Sequence, residues 1–208
     1  MNYFLDLGTH YLENNNRFSG CESGLLLFER QMFFGNEPPY DWHVLTFEPS
    51  AHAVIHNKTI LPSIEKRFAS IQAFHAAIAD FDGQTTFKWL PRWSAASTCV
   101  MESLNEIDSH RCQEQNVTAI DIRRVVEEII QQDTDASIFV KCDIEGAEFT
   151  VLPRLLSIND IGRWVKALYV EWHDRFWIGK PRHQAMQAIK ATIIKDCANK
   201  QVALYNWT

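Results

Sequence analysis

The segment "FVKCDIEGAEF", residues 139–149, decides the fold class of this chain. An apolar run with the composition of a buried strand ends here on Asp143, Glu145 and Glu148, and Gly146 separates the last two. A buried carboxylate is costly unless it is paired or used. Open α/β sheets bind their ligands at the carboxyl ends of their strands. The segment therefore predicts a strand whose acidic end faces a ligand site.

Apolar runs alternate with longer helical patterns along the chain, which is typical of βαβ units around a mostly parallel sheet with helices on both faces. Strands are predicted over residues 3–8, 42–50, 137–144, 163–173 and 201–207. Residues 71–90 should form two strands joined by a turn at Asp-Phe-Asp-Gly, and residues 91–116 should be irregular. Helices are predicted over residues 23–34, 61–69, 119–132, 145–157 and 182–200. Asp121 is the expected N-cap of the third helix.

The composition is that of an ordinary α/β globule, and residues 1–208 are expected to form a single domain. Hydrophobic residues make up 46% of the chain, and the net charge of −6 argues against a nucleic-acid partner. The five cysteines include no Cys-x-x-Cys pair, which indicates reduced thiols and a cytoplasmic location. No apolar run is long enough to span a membrane.

Metal binding is not expected from the sequence. His52 and His56 have the i,i+4 spacing of helical metal ligands, but no third ligand is evident near them. The interpretation that they lie on a solvated surface is therefore the stronger one.

Polar residues follow the ends of several predicted strands. Asp6 and Gly8 close the first strand, Glu48 closes the second, and His173 closes the fifth. In a doubly wound sheet these ends share one crevice with Asp143. Gly8 should let a ligand approach the backbone, and a strand-end carboxylate such as Glu48 can accept both hydroxyls of a ribose.

The first strand lacks the full Gly-x-Gly-x-x-Gly pattern that cradles a pyrophosphate, since Gly8 is followed by Thr-His-Tyr. This counts against NAD and FAD. A nucleoside cofactor without phosphates fits the sequence better.

The chain resembles the FkbM-type S-adenosylmethionine-dependent methyltransferases. The resemblance is carried by "FLDLGTH" at 4–10, "FEPS" at 47–50, "AAIADFDGQTTF" at 76–87, "VKCDIEGAEFTVL" at 140–152 and "YVEWH" at 169–173. These segments have the order of the family, and the Lys-x-Asp-x-Glu-Gly-x-Glu segment is the most specific of them. The resemblance implies a Rossmann-like class I methyltransferase fold and methyl transfer to a hydroxyl of a small molecule or carbohydrate.

Several residues become candidates for the site through this resemblance. Asp143, Glu145 and His173 are the expected catalytic residues, with His173 as the better general base on chemistry alone. The expected contacts to S-adenosyl-L-methionine are made by Asp6, Gly8, Thr9, His10, Glu48, Ala77 and Ser97. Acceptor recognition is expected from residues 11–23, from residues 91–116 or from a partner subunit, and a second copy of the chain is a candidate partner.

Other interpretations stay open at this level. Asp143 could act only as a helix N-cap, Glu145 and Glu148 could only complement a helix dipole, and His173 could simply end a strand. The chain could also be a cofactor-binding module without catalysis that serves as a partner subunit. A nucleotide-dependent oxidoreductase is the weaker enzymatic alternative.

Overall fold

A computed structural model describes residues 1–9, 41–90, 93–98 and 113–206. Its strands are β1 Asn2–Leu7, β2 Trp42–Phe47, β3 Ser70–Phe74, β4 Ala77–Ala79, β5 Gly83–Leu90, β6 Trp93–Thr98, β7 Gln113–Asp121, β8 Ser137–Cys142, β9 Val165–Val170 and β10 Ala203–Asn206. Its α-helices are α1 Ala51–Ile64, α2 Ile122–Gln132, α3 Glu148–Leu156 and α4 His183–Asn199. The helix predicted over 23–34 lies outside the described residues.

Six strands form a fully parallel sheet in the order β10-β9-β8-β1-β2-β3. Leu5 at the centre of β1 is in register with Leu45 of β2 and with Val140 of β8. The predicted α/β class with a mostly parallel sheet is confirmed.

Helices cover both faces of this sheet because successive side chains of a strand point to opposite faces. On one face, Phe4 and Val44 pack with Ile64 of α1. On the other face, Leu5 and Val140 belong to the larger core that α2, α3 and α4 complete. Strands buried in this way on both faces explain the almost continuous apolar runs in the sequence.

The strand order places a topological switch point between β1 and β8. The chain runs outward from β1 through β2 to β3, and later returns to β8 on the other side of β1 before continuing to β9 and β10. In open α/β sheets, the crevice beyond the carboxyl ends of the strands at such a point is the usual ligand site. Gly8 and Asp143 follow the two strands at this point.

A second, mixed sheet in the order β4-β7-β5-β6 connects β3 to the region before α2. The number of strands predicted over 71–90 was wrong, since β3, β4 and β5 lie there and only β3 joins the main sheet, but the predicted turn at Asp-Phe-Asp-Gly does separate β4 from β5. The prediction that residues 91–116 are irregular was also wrong where the structure describes them, because residues 93–98 form β6 and β7 begins at residue 113. β6 pairs with the neighbouring β5, whereas β7 is stabilised by pairing with the distant β4 and β5, which local composition does not reveal.

Three predicted helix boundaries also change. The helix predicted over 61–69 begins much earlier, at Ala51, where the Ser50 side chain accepts the Ala53 N–H at 3.4 Å, and Pro62 lies in its last turn. Helix α2 begins at Ile122 rather than at 119, and the predicted N-cap role of Asp121 is confirmed by its 2.9 Å hydrogen bond from the Arg123 N–H.

Helix α3 begins at Glu148 rather than at 145. Glu145 and Gly146 have φ values of 53° and 104°, which are incompatible with a right-handed helix. Across residues 1–9, 41–90, 93–98 and 113–206, no helix has the length and apolar character that crossing a bilayer requires.

Candidate active site

The close contact between the β1 and β8 strand ends is built on Gly8. A Cβ atom at this position would lie 1.8 Å from the Asp143 carbonyl oxygen, and Gly8 has a φ of +75°. The Gly8 N–H also donates to the Phe47 carbonyl of β2 at 3.0 Å. The predicted close approach at Gly8 therefore exists, but it is an approach to the backbone of β8.

The Lys141 side chain, which projects from β8, contacts the ends of both strands. Its buried Nζ donates to the Gly8 carbonyl at 2.7 Å and lies 3.2 Å from Asp6 Oδ1 and 3.4 Å from Asp143 Oδ2. Burial by itself would lower the pKa of Lys141, but the Asp6 and Asp143 carboxylates outweigh it and raise the pKa above its ordinary value. The lysine is thus a fixed positive charge beneath the switch point.

His173 is fully buried and lies among carboxylates that follow β8 and β9. Its Nε2 is 3.7 Å from Asp143 Oδ1, 3.4 Å from Glu145 Oε2 and 3.5 Å from Glu171 Oε1. Burial would lower the pKa of His173, but the hydrogen bond and charge of Glu148 and the charges of Glu145 and Asp143 raise it overall. The structure therefore brings together all three of the predicted catalytic residues.

Glu148 joins the turn after β8 to His173. Its completely buried carboxylate accepts the Gly146 N–H at 2.8 Å and the His173 N–H at 2.7 Å. Glu148 Oε1 also lies 3.3 Å from His173 Nδ1. Each oxygen of this buried carboxylate thus accepts one backbone N–H, and Oε1 also faces the imidazole. These contacts fix the carboxylate, and we infer that Glu148 orients the histidine ring.

Glu145 has the least ordinary environment of these acids. Its backbone is in the left-handed region at φ 53°, which is costly for a residue with a Cβ. Burial raises the pKa of Glu145 to about 8; the charge of His173 opposes the shift, while those of Asp143 and Glu171 add to it. Strained backbone and a perturbed carboxyl group in one residue are typical of functional sites.

Asp143 is not a helix cap. The N-cap of α3 is Ala147, which makes no side-chain capping bond. The Asp143 carboxylate instead lies between Lys141 and His173 and is 26% exposed. The capping interpretation of the acidic strand end is therefore wrong, and the side chain is available to a ligand in the crevice.

Glu48 follows β2 at the same edge of the sheet, as predicted. Its mostly buried carboxylate accepts the Ser50 N–H at 2.7 Å. Next to it, the Thr9 hydroxyl donates to the Asp6 carbonyl at 3.1 Å, and the Thr9 N–H donates to the Phe47 carbonyl at 3.2 Å. Asp6, Gly8, Thr9 and Glu48 thus share the ends of β1 and β2.

A family comparison agrees with this geometry. Residues 30–198, well over half of the chain, match the family model described as the Methyltransferase FkbM domain. The chain belongs to the FkbM methyltransferase domain family. No curated protein and no solved structure is significantly similar to it.

The FkbM match covers β8, β9 and the acids that follow them, and it begins after β1. The suspected family and the methyltransferase class are therefore confirmed from the part of the chain with the most specific motif. The first-strand segment "FLDLGTH", residues 4–10, lies entirely before the matched residues.

Two predicted contacts of this FkbM chain lie in the second sheet rather than in the acidic cluster, which is formed by Asp143, Glu145, Glu148, Glu171 and His173, and the position of a third is not described. Ala77 is buried in the second sheet, where it packs with Phe87 and Val117. Ser97 lies in β6, where its backbone pairs with Trp89 of β5. His10 lies outside the described residues, as do residues 11–23. These contacts stay predictions.

The sequence-based assignment gave no role in the FkbM site to Lys141, Glu148 or Glu171. A signal was available for two of them, because Lys141 and Glu148 begin and end the Lys-x-Asp-x-Glu-Gly-x-Glu segment. A lysine inside a buried strand also requires a charged partner. Glu171 follows β9 two residues before His173, and its role depends on a contact between two strands.

Proposed function

We propose that the protein is an S-adenosylmethionine-dependent methyltransferase that methylates a hydroxyl group of a small molecule or carbohydrate. The observation that carries the proposal is the excess of negative charge at the switch point. Glu145 does not count toward this charge, because its pKa of about 8 keeps it protonated at neutral pH. The carboxylates of Asp6, Asp143, Glu148 and Glu171 still outnumber the cations Lys141, His173 and Arg175, the last of which lies 3.1 Å from Glu171 Oε1.

This charge favours a cationic ligand and disfavours a phosphate-bearing one. A sulfonium cofactor with an amino group is attracted to such an edge, whereas the pyrophosphate of NAD or FAD would be repelled. Glu48 supports a nucleoside ligand, because a carboxylate at the end of the second strand can accept two ribose hydroxyls. The described residues thus fit S-adenosylmethionine better than a dinucleotide.

Asp143 and Glu145 would divide the catalytic work, with His173 buried behind them. When bound, S-adenosylmethionine supplies a methyl group whose bond to sulfur breaks as the lone pair of the acceptor oxygen forms the new bond to carbon. Most of the rate gain in such an in-line displacement comes from positioning.

The hydroxyl proton needs a base within hydrogen-bond reach, which contributes on the order of 10²–10⁴-fold. Glu145 suits that role better than His173, because His173 is fully buried behind the carboxylates while Glu145 keeps 19% of its side chain exposed. Asp143, beside Lys141 at the end of β8, would lie near the cationic part of the cofactor.

Isothermal titration of the protein with S-adenosylhomocysteine and, separately, with NAD tests the cofactor assignment. We expect binding of S-adenosylhomocysteine only. The variant Glu48→Gln keeps an oxygen for the Ser50 N–H but loses the charged acceptor, so its affinity should fall roughly tenfold or more, a charged hydrogen bond being worth about 1.5–3 kcal/mol. Glu65→Gln, which changes an exposed acid after α1, is the matched control. Binding of NAD without S-adenosylhomocysteine would overturn the proposal.

A further inference from the structure

One side of the acidic cluster has the ligand spacing of a metal site. Asp143, Glu171 and His173 each offer one ligand atom, and these atoms all lie within 4.8 Å of one another. Two donors that are each about 2.1 Å from one ion lie at most about 4.2 Å apart. The distances from His173 Nε2 to Asp143 and Glu171, 3.7 and 3.5 Å, are already within that limit.

The orientation of His173 is the second observation. Glu148 lies at Nδ1 and also holds the His173 backbone N–H, so the ring presents Nε2 to the two carboxylates. Metal-binding histidines almost always have their second nitrogen bonded to a carboxylate or carbonyl, which fixes the tautomer and the direction of the ligand atom. Glu148 supplies that partner from a completely buried position.

Accessibility fits the same interpretation. His173 is fully buried, whereas the Asp143 and Glu171 side chains are 26% and 27% exposed. An ion held there would have protein ligands on the inner side and open positions toward the crevice. Catalytic metal sites have such open positions for substrate oxygen.

We propose that Asp143, Glu171 and His173 bind one divalent cation. A mixture of carboxylate and imidazole ligands suits first-row ions such as Mn²⁺ better than Mg²⁺, which prefers oxygen. The cation would bind the acceptor hydroxyl and promote its ionisation, and this role, unlike the binding itself, rests on the proposed methyl transfer. The acceptor would then be a hydroxyl compound that can ligate a metal.

Titration of the purified protein with Mn²⁺, followed by the electron paramagnetic resonance signal of the free ion, tests the binding. We expect one ion bound per chain in the wild type. Glu171→Gln and Asp143→Asn each remove a charged ligand and should weaken binding at least about tenfold. The matched control is Asp174→Asn, because Asp174 is adjacent to His173 but pairs with Lys190 and Gln187 on α4, and it should bind Mn²⁺ like the wild type.

A wild-type protein that leaves the free Mn²⁺ signal unchanged at about 1 mM, the weak end of protein cation sites, would overturn the inference. So would Glu171→Gln binding as tightly as Asp174→Asn; the cluster would then be an ion-pair network around a protonated His173. S-adenosylhomocysteine binding, measured on the same samples, keeps this result separate from the proposed function. If the protein binds S-adenosylhomocysteine but not Mn²⁺, the metal site is rejected and the proposed methyl transfer is unaffected.

Discussion

At the scale of single residues, packing alone is enough to require glycine at position 8. The backbones of β1 and β8 approach so closely after their last paired residues that any side chain at Gly8 would meet the Asp143 carbonyl. Because Asp143 also contacts Lys141 and lies near His173, the distance between the two strand ends controls the geometry of the whole acidic cluster.

Replacement of Gly8 by alanine should therefore lower the free energy of unfolding by far more than the positive φ alone would. We expect Gly8→Ala to lower the free energy of unfolding by about 2–5 kcal/mol, from about 1–2 for positive φ and about 1–3 for overpacking. Gly179 is a matched control, since its φ of +76° is the same but a Cβ there would meet nothing within 4 Å. Gly179→Ala should cost only about 1–2 kcal/mol in urea denaturation. Equal losses in the two variants would contradict the packing argument.

At the scale of secondary-structure elements, Asp121 joins the second sheet to two helices. It is the last residue of β7, it caps α2 through the Arg123 N–H, and it accepts two hydrogen bonds from Arg154 Nε and Nη2 on α3. One carboxylate thus determines where α2 begins and how α2 lies against α3. The Arg154 side chain is 40% exposed, so solvent screens the pair and limits what it contributes to stability.

The capping bond should account for most of the stability that Asp121 supplies. Asp121→Ala is expected to lower the free energy of unfolding by about 0.5–2 kcal/mol, the usual cost of a lost N-cap. Asp121→Asn keeps a capping oxygen and should retain most of that stability while losing the charge that faces Arg154. Thermal and urea denaturation of the two variants provide the comparison. Should Asn prove as damaging as Ala, the ion pair would be the dominant contribution.

At the scale of the whole molecule, the large core encloses two thiols far apart in the chain. Cys142 at the end of β8 and Cys197 in α4 are both buried in it, and both are free. Burial raises the pKa of Cys142 above its ordinary value, with added contributions from Glu148 and Asp143. Burial and the charge of Asp196 raise the pKa of Cys197 to about 11. Both thiols are therefore protonated at neutral pH.

These thiols should report the unfolding of the core as one unit. Because the thiolate is the reactive form, iodoacetamide should leave Cys142 and Cys197 unmodified in the native protein. In a urea series, site-resolved mass spectrometry should show both becoming reactive at the same urea concentration, the global unfolding midpoint. If Cys197 reacts at a lower urea concentration than Cys142, α4 opens independently of the sheet, and the core does not unfold as one unit.

The sequence by itself determined the α/β class, the strands that carry acids at their carboxyl ends, and the FkbM family. These features depend on local patterns: apolar runs of strand length, helical periodicity, and one short motif around Asp143. The cap at Asp121 was predictable for the same reason, since capping involves residues within one turn.

Only the tertiary structure decided how these pieces combine. The second sheet pairs strands such as β4 and β7 that are far apart in the chain, so composition gave no sign of it. The roles of Lys141 and Glu148 likewise come from contacts across strands, to Gly8 and to His173. Local sequence sets which residues end a strand, but the charge, burial and spacing of a site depend on which strand ends become neighbours, and that follows from the packing of the whole chain.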